Sequence, residues 1–105
     1  MLNKIIIEGI IESYRWASNS TGFFVTIKQN RMFGKTKFTD YFTLYANKPL
    51  ANELENHVKE YETITVEGSL RTYQDHKNKQ WKSAIEVSKI LVSNSTKELG
   101  GTNEQ

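Results

Sequence analysis

The chain contains no cysteine, which removes disulfides, thiolate zinc sites and thiol nucleophiles together. No apolar run approaches the ~20 residues that a helix needs to span a bilayer. The start, Met1-Leu2-Asn3-Lys4-Ile5, lacks the long apolar stretch of a secretory signal. A cytoplasmic protein without membrane association is therefore expected. His57 and His76 have no ligand-spaced partners, and there is neither a glycine-rich phosphate loop nor a Ser-His-Asp set. Glu53, Glu55, Glu60 and Glu62 read as a solvated face rather than an acid/base pair. The expectation is no metal, no cofactor and no catalytic residue: a binding protein, not an enzyme. Hydrophobic residues make up only 37% of the 105 positions. That supports one domain with one modest core, and it favours burial against a partner subunit.

What charge there is lies in blocks. The net charge of +2 is too small to demand a polyanionic partner. Yet Lys28, Arg31, Lys35 and Lys37 follow one another with no acid between them, and Arg71, Lys77, Lys79 and Lys82 face a single Asp75. The acids gather over 53–67 and at the C-terminal end. Two basic segments, each shaped like a hairpin, are thus hidden in a near-neutral total.

Leu2–Ile11 is rich in β-branched residues and predicts a strand, with Gly9 as a bulge or bend. Ser13–Gly22 is polar and predicts a loop. Phe23–Gln29 alternates, with Phe23, Val25 and Ile27 on one side and Phe24, Thr26 and Lys28 on the other. Asn30–Lys37 predicts a loop around Gly34. Phe38–Ala46 alternates again, and the side with Phe42 and Leu44 is expected to be buried, Phe38 with it. Thr39, Tyr41, Thr43 and Tyr45 then face outward. A helix follows: Asn47 caps, Pro49 suits the first turn, and Leu50, Leu54, Val58 and Tyr61 recur at helical spacing. Thr63–Tyr73 is the next strand, with Ile64 and Val66 inward and Gly68 a second bend. Gln74–Lys79 is a polar hairpin tip, Gln80–Val92 the last strand, and 93–105 a short polar tail expected to be disordered.

Five short strands with one helix between the third and fourth is the order of an all-β, five-stranded OB-fold barrel over residues 1–92. An SH3-like barrel would lack the helix, and an RRM sheet would need two.

Four segments carry a family resemblance: the opening Met1-Leu2-Asn3-Lys4-Ile5-Ile6-Ile7-Glu8-Gly9, the stretch from Gly22 to Arg31 ending in Asn30-Arg31, Val66-Glu67-Gly68-Ser69-Leu70-Arg71-Thr72, and Trp81-Lys82-Ser83-Ala84-Ile85. In order and near-spacing they resemble the bacterial and phage-type single-stranded DNA-binding proteins. The short form is also similar to the compact primosomal replication proteins of the same fold. The family's acidic, Phe-terminated tip has no counterpart in Glu98–Gln105, so any recruitment of replication proteins would use another route. The segment 12–21 also departs from the family pattern.

The resemblance implies binding of single-stranded DNA with little sequence specificity, in replication, recombination or repair. Bases stack on aromatic side chains while cations follow the phosphates. By position Tyr45 matches the aromatic that closes the family's third strand; Tyr41, Trp81, Tyr73 and Phe33 are the other candidate platforms. Lys4, Lys28, Arg31, Lys35, Lys37, Lys48, Arg71, Lys77, Lys79 and Lys82 are the candidate phosphate contacts. Tyr14 and Trp16 either reach the same groove or cover a barrel end. Leu2, Ile5, Ile6 and Ile7 make the first strand apolar on both faces, as expected of an oligomer interface, and the resemblance implies a dimer or a tetramer. Two alternatives stay open: a primosome-like adaptor that contacts protein and binds DNA weakly, and an RNA-binding OB domain.

Overall fold

The computed structural model describes residues 1–18, 20–75 and 77–93. The order is β1 (Ile5–Trp16), β2 (Gly22–Phe33), β3 (Thr36–Asn47), α1 (Leu50–His57), β4 (Thr63–Gln74) and β5 (Trp81–Ser93). The strands close as β1-β2-β3-β5-β4, with β4 returning to β1. Every junction is antiparallel except the short parallel β3–β5 seam, where Leu44 pairs with Ile85 and Tyr45 with Glu86. This is the OB-fold barrel the segment order implied.

The core is filled from all five strands and the helix. Ile11, Phe23, Val25, Ile27, Leu44, Ile64, Val66, Ile85 and Val87 are buried, with Ala51, Leu54 and Val58 of the helical region closing one end. Phe42 is half-buried and packs against this cluster. The inward residues expected in β2 and β4 are the ones found. No helix among the described residues is long and apolar enough to cross a membrane.

Several boundaries differ from expectation. β1 runs on to Trp16, so Ser13–Trp16 is strand, not loop, and pairs with Phe23–Thr26. Polarity misleads there because one face of this stretch is exposed. The bulge falls between Ile11 and Ser13 rather than at Gly9. Gly9 is instead a point of close approach, where a Cβ would lie 2.9 Å from Ile27 Cδ1 and 3.0 Å from the Lys28 carbonyl oxygen. The segment 30–37 is not a loop either: β2 and β3 pair through to Phe33 and Thr36. Gly34 turns the chain at a positive φ of 63°, which a two-residue hairpin turn asks of its first central residue. This hairpin overhangs the barrel, so Phe38 lies 40% exposed beneath the Arg31 guanidinium rather than in the core.

At the helix start, Pro49 is the N-cap and no side chain caps it. Asn47 ends β3 and turns its amide elsewhere. Tyr61 leaves the helical face at a positive φ of 68° and is 71% exposed. Ser93, expected in the tail, is a buried strand residue. The rest of the expected tail, 94–105, lies outside the described residues.

Candidate nucleic-acid interface

Strand alternation brings one outward row to the front of the β2–β3 sheet: Phe24 opposite Tyr45, Thr26 opposite Thr43, Lys28 opposite Tyr41. The β4–β5 hairpin rises beside it, pairing Tyr73 with Lys82 and Gln74 with Trp81. Two recesses lie between these walls. One, of about 450 Å³, is lined by Ala17, Thr21, Phe24, Tyr45, Asn47, Arg71, Tyr73, Ala84 and Glu86. The other, of about 610 Å³, is lined by Ser13, Tyr14, Arg15, Phe24, Thr26, Thr43, Tyr73, Trp81, Lys82 and Ser83. Phe24 and Tyr73 belong to both, so the two form one trough.

The aromatic track is held in place by specific contacts. The Tyr45 and Phe24 rings sit 4.8 Å apart at a 44° tilt. The absence of a side chain at Gly22 makes room for Tyr45, since a Cβ there would overlap the tyrosine ring. The Tyr45 hydroxyl donates to Asn47 Oδ1 at 2.6 Å. Asn47 Nδ2 donates to Glu86 Oε2 at 3.0 Å, and Arg71 Nε donates to Glu86 Oε1 at 3.0 Å. Arg15 stacks its guanidinium 4.6 Å above the Phe24 ring. Trp81 stands at the mouth, 69% exposed, and Tyr73 is 40% exposed.

The structure thus gathers Tyr45, Tyr73, Trp81, Arg71 and Lys82 into one trough. Tyr41 is exposed on the same sheet but lines a neighbouring apolar recess of about 350 Å³ with Ile5, Ile7 and Leu70, where β3 and β5 diverge. Phe33, Arg31, Lys35 and Lys37 sit on the overhanging β2–β3 hairpin, and Lys77 and Lys79 on the β4–β5 tip, away from the trough walls. Lys4 and Lys48 do not line it: Lys4 pairs with Glu67, and Lys48, beside Asn47, holds its ammonium 5.7 Å from the Trp16 ring. Trp16 covers that end, packed on Phe23 and donating its indole N–H to Glu55 at 2.7 Å.

Five of the expected cations hold carboxylates: Lys4–Glu67, Lys28–Glu12, Arg31–Asp40, Arg71–Glu86 and Lys82–Asp75. The hydrogen bond and charge of Glu12 raise the Lys28 ammonium above its ordinary value. Asp75 is lowered by the Lys77 backbone N–H and by Lys82.

Sequence reasoning misses Phe24, Arg15, Asn47 and Glu86 as site residues. For Phe24 the available signal is its place on the polar outward face beside Thr26 and Lys28. Arg15 is hidden in a stretch whose polarity imitates a loop. Asn47 and Glu86 meet only through the parallel seam, which no local pattern announces.

The model of a family described as "Protein of unknown function (DUF3217)" matches residues 1–100. The chain belongs to this family. This DUF3217 protein is 56% identical over 91 residues to "Uncharacterized protein MG376 homolog" of Mycoplasma pneumoniae, covering 87% of this chain and 88% of that one. It is 52% identical over 95 residues to "Uncharacterized protein MG376" of Mycoplasma genitalium, covering 90% and 91%. Among solved structures it is similar to a crystal structure described as that of a small single-stranded DNA binding protein from Mycoplasma pneumoniae. The TM-score is 0.83 at 54% identity, covering 88% of this chain and 94% of that one. A Plasmodium falciparum SSB in complex with ssDNA shares the fold, with a TM-score of 0.65 at 18% identity over 88% and 96% of the chains. So does a small single-stranded DNA-binding protein from Streptomyces coelicolor, with a TM-score of 0.61 at 17% identity over 87% and 94%.

Proposed function

We propose that this DUF3217 protein binds single-stranded DNA with little overall sequence specificity, bases stacking along the trough and phosphates meeting its basic rim. The observation that carries this is the continuous track of Phe24, Tyr45, Tyr73 and Trp81 bordered by Arg15, Arg71 and Lys82. Exposed aromatics beside cations suit a ligand with a π-face on every unit and a charge at every link. The 54% identical Mycoplasma pneumoniae protein, described as single-stranded DNA binding, supports the same reading. The protein acts as a binder rather than an enzyme, in the cytoplasm, in DNA replication, recombination or repair.

Titration with oligo(dT) at two salt concentrations tests the reading. Trp81 is 69% exposed in the trough, whereas Trp16 is packed and hydrogen-bonded at the barrel end. Binding should quench Trp81 alone, so Trp81→Phe removes the quench and Trp16→Phe leaves it. Absence of salt-sensitive binding would overturn the proposal. Competition with an RNA oligomer of the same sequence separates the RNA-binding alternative.

The functional unit is a homo-oligomer, a dimer or a tetramer, joined partly through the start of the first strand. Leu2 and Ile6 are exposed at 101% and 59%, while Ile5 and Ile7 pack toward the core. Light scattering should give a multiple of 12.2 kDa, and Ile6→Lys should dissociate the assembly without unfolding the barrel. A wild-type monomer would refute the interface.

A further inference from the structure

The recess beneath Tyr45 is more than a stacking surface. Three aromatic rings, Phe24, Tyr45 and Tyr73, wall a space of about 450 Å³ whose rim carries Asn47, Glu86 and Arg71 in one hydrogen-bonded chain. A binder indifferent to sequence needs no such chain, because stacking and phosphate contacts suffice. We propose that this recess takes one nucleobase edge-on and selects a base bearing an exocyclic amino group, cytosine foremost, over thymine. The inference rests on the single-strand-binding reading above and adds a base preference at one position of the bound strand.

The donor and acceptor inventory decides the preference. Each Glu86 oxygen is engaged once, Oε1 by Arg71 and Oε2 by Asn47, which leaves each with a free lone pair. The carboxylate is about one-third exposed, so those lone pairs are open to a ligand. Arg71 uses only Nε in this contact and keeps its terminal N–H donors, and its side chain is 63% exposed. The rim therefore offers an acceptor beside donors. Cytosine fits: its N4–H donates to Glu86 while N3 and O2 accept from Arg71, and carboxylates are natural acceptors for cytosine N4. Thymine places its one ring N–H between two carbonyl oxygens. Bringing that N–H to Glu86 would set a carbonyl against the second carboxylate oxygen, and the repulsion penalises the wrong base. The ion pair with Arg71 and the bond from Asn47 fix the carboxylate before any base arrives, so little ordering cost is added on binding.

The test compares oligo(dC) with oligo(dT) of equal length, longer than the ~4–16 nucleotides that one OB fold occupies, at fixed salt and neutral pH. The two polymers differ in flexibility as well as in base edge, so the informative quantity is the dC:dT affinity ratio in wild type against Glu86→Gln and Glu86→Ala. Removing a carboxylate next to DNA strengthens binding to both polymers, and the ratio cancels that effect. The ratio should fall about fivefold or more in Glu86→Ala, as expected when one polar bond to a base is removed. Glu86→Gln keeps one acceptor oxygen and replaces the other with a donor, so its ratio should fall by less. Unfolding curves accompany each variant, and Glu86→Gln, which keeps the shape of the side chain, guards against a folding defect in the alanine form. A ratio unchanged in both variants, with dT still bound, overturns the selective recess and leaves the single-strand-binding reading intact. Failure to bind either polymer overturns both.

Discussion

Truncating Tyr45 to alanine should weaken DNA binding and folding by separable amounts. The ring is half-buried and takes part in three interactions. A base stacked on it contributes roughly 1–3 kcal/mol, removed only from the complex. Its packing on Phe24, with centroids 4.8 Å apart, is worth about 0.5–1.5 kcal/mol to the folded state. The 2.6 Å bond from its hydroxyl to Asn47 adds roughly 0.5–1.5 kcal/mol, also to the folded state. Tyr45→Ala should therefore raise the oligo(dT) Kd about five- to 150-fold and lower unfolding free energy by about 1–3 kcal/mol from these two contacts, with the lost burial of the half-buried ring added to that. Tyr45→Phe isolates the hydroxyl: it should cost about 0.5–1.5 kcal/mol of stability and leave oligo(dT) affinity close to wild type. Fluorescence titration and urea unfolding on the same preparations measure both quantities. A Tyr45→Ala protein that unfolds earlier but binds oligo(dT) as tightly as wild type would show that the ring only packs. The stacking role would then be refuted.

Other perturbations test the frame around the trough. A Cβ at Gly68 would overlap the Glu86 carbonyl oxygen and lie 3.1 Å from Ile85 Cγ2; Gly68→Ala must part β4 from β5 and should cost about 1–3 kcal/mol in urea unfolding. Lys77→Ala with Lys79→Ala should reduce the slope of log K against log salt by ~0.7 for each phosphate left without its lysine, and an unchanged slope would return these lysines to solubility alone. Asp75 is held below its ordinary value of 3.8 by the Lys77 backbone N–H and by Lys82. Its contribution to the hairpin tip is thus fully present above that value and is lost as pH falls through the lowered folded one. Trp81 emission should shift in that acidic window, and Asp75→Asn should remove the step.

The fold was legible because the inward residues of β2, β3 and β4 alternate without interruption through Phe23–Ile27, Phe42–Leu44 and Ile64–Val66. Period-two burial survives in any strand that closes a barrel. Legibility failed where a strand leaves the barrel. The overhang Asn30–Phe38 has no buried face, so composition there looks like a loop although the backbone pairs regularly. The same cause misplaced Phe38, whose alternation is correct but whose rung lies beyond the core. Tyr45, Tyr73 and Trp81 were reachable because aromatics among threonines and lysines on an outward face ask for a partner. The Asn47–Glu86–Arg71 chain was not, because its members lie 15 to 39 positions apart in pairwise separation, and Asn47 reaches Glu86 only across the parallel β3–β5 seam of the barrel.

The ion pairs change how the basic residues should be counted. If all ten expected cations met phosphate, the salt slope at ~0.7 per contact would be about 7. Five of them already hold a carboxylate, however, and each of those pairs is at least partly exposed to solvent. Exposed pairs are worth only about 0–1 kcal/mol each, so a phosphate can displace the acid with ease. The displaced carboxylate stays nearby and offsets the gain, and the exchange releases less counterion than a free lysine does. Lys35, Lys37, Lys48, Lys77 and Lys79 have no carboxylate ion pair among the described residues, nor does Arg15 above Phe24, but Lys48 is held over the Trp16 ring. The slope should therefore lie nearer 3–4 than 7, carried by the two hairpin tips and Arg15. Arg71 and Lys82 then serve position more than charge: their acids hold them at the trough wall, where the aromatic track needs its rim fixed.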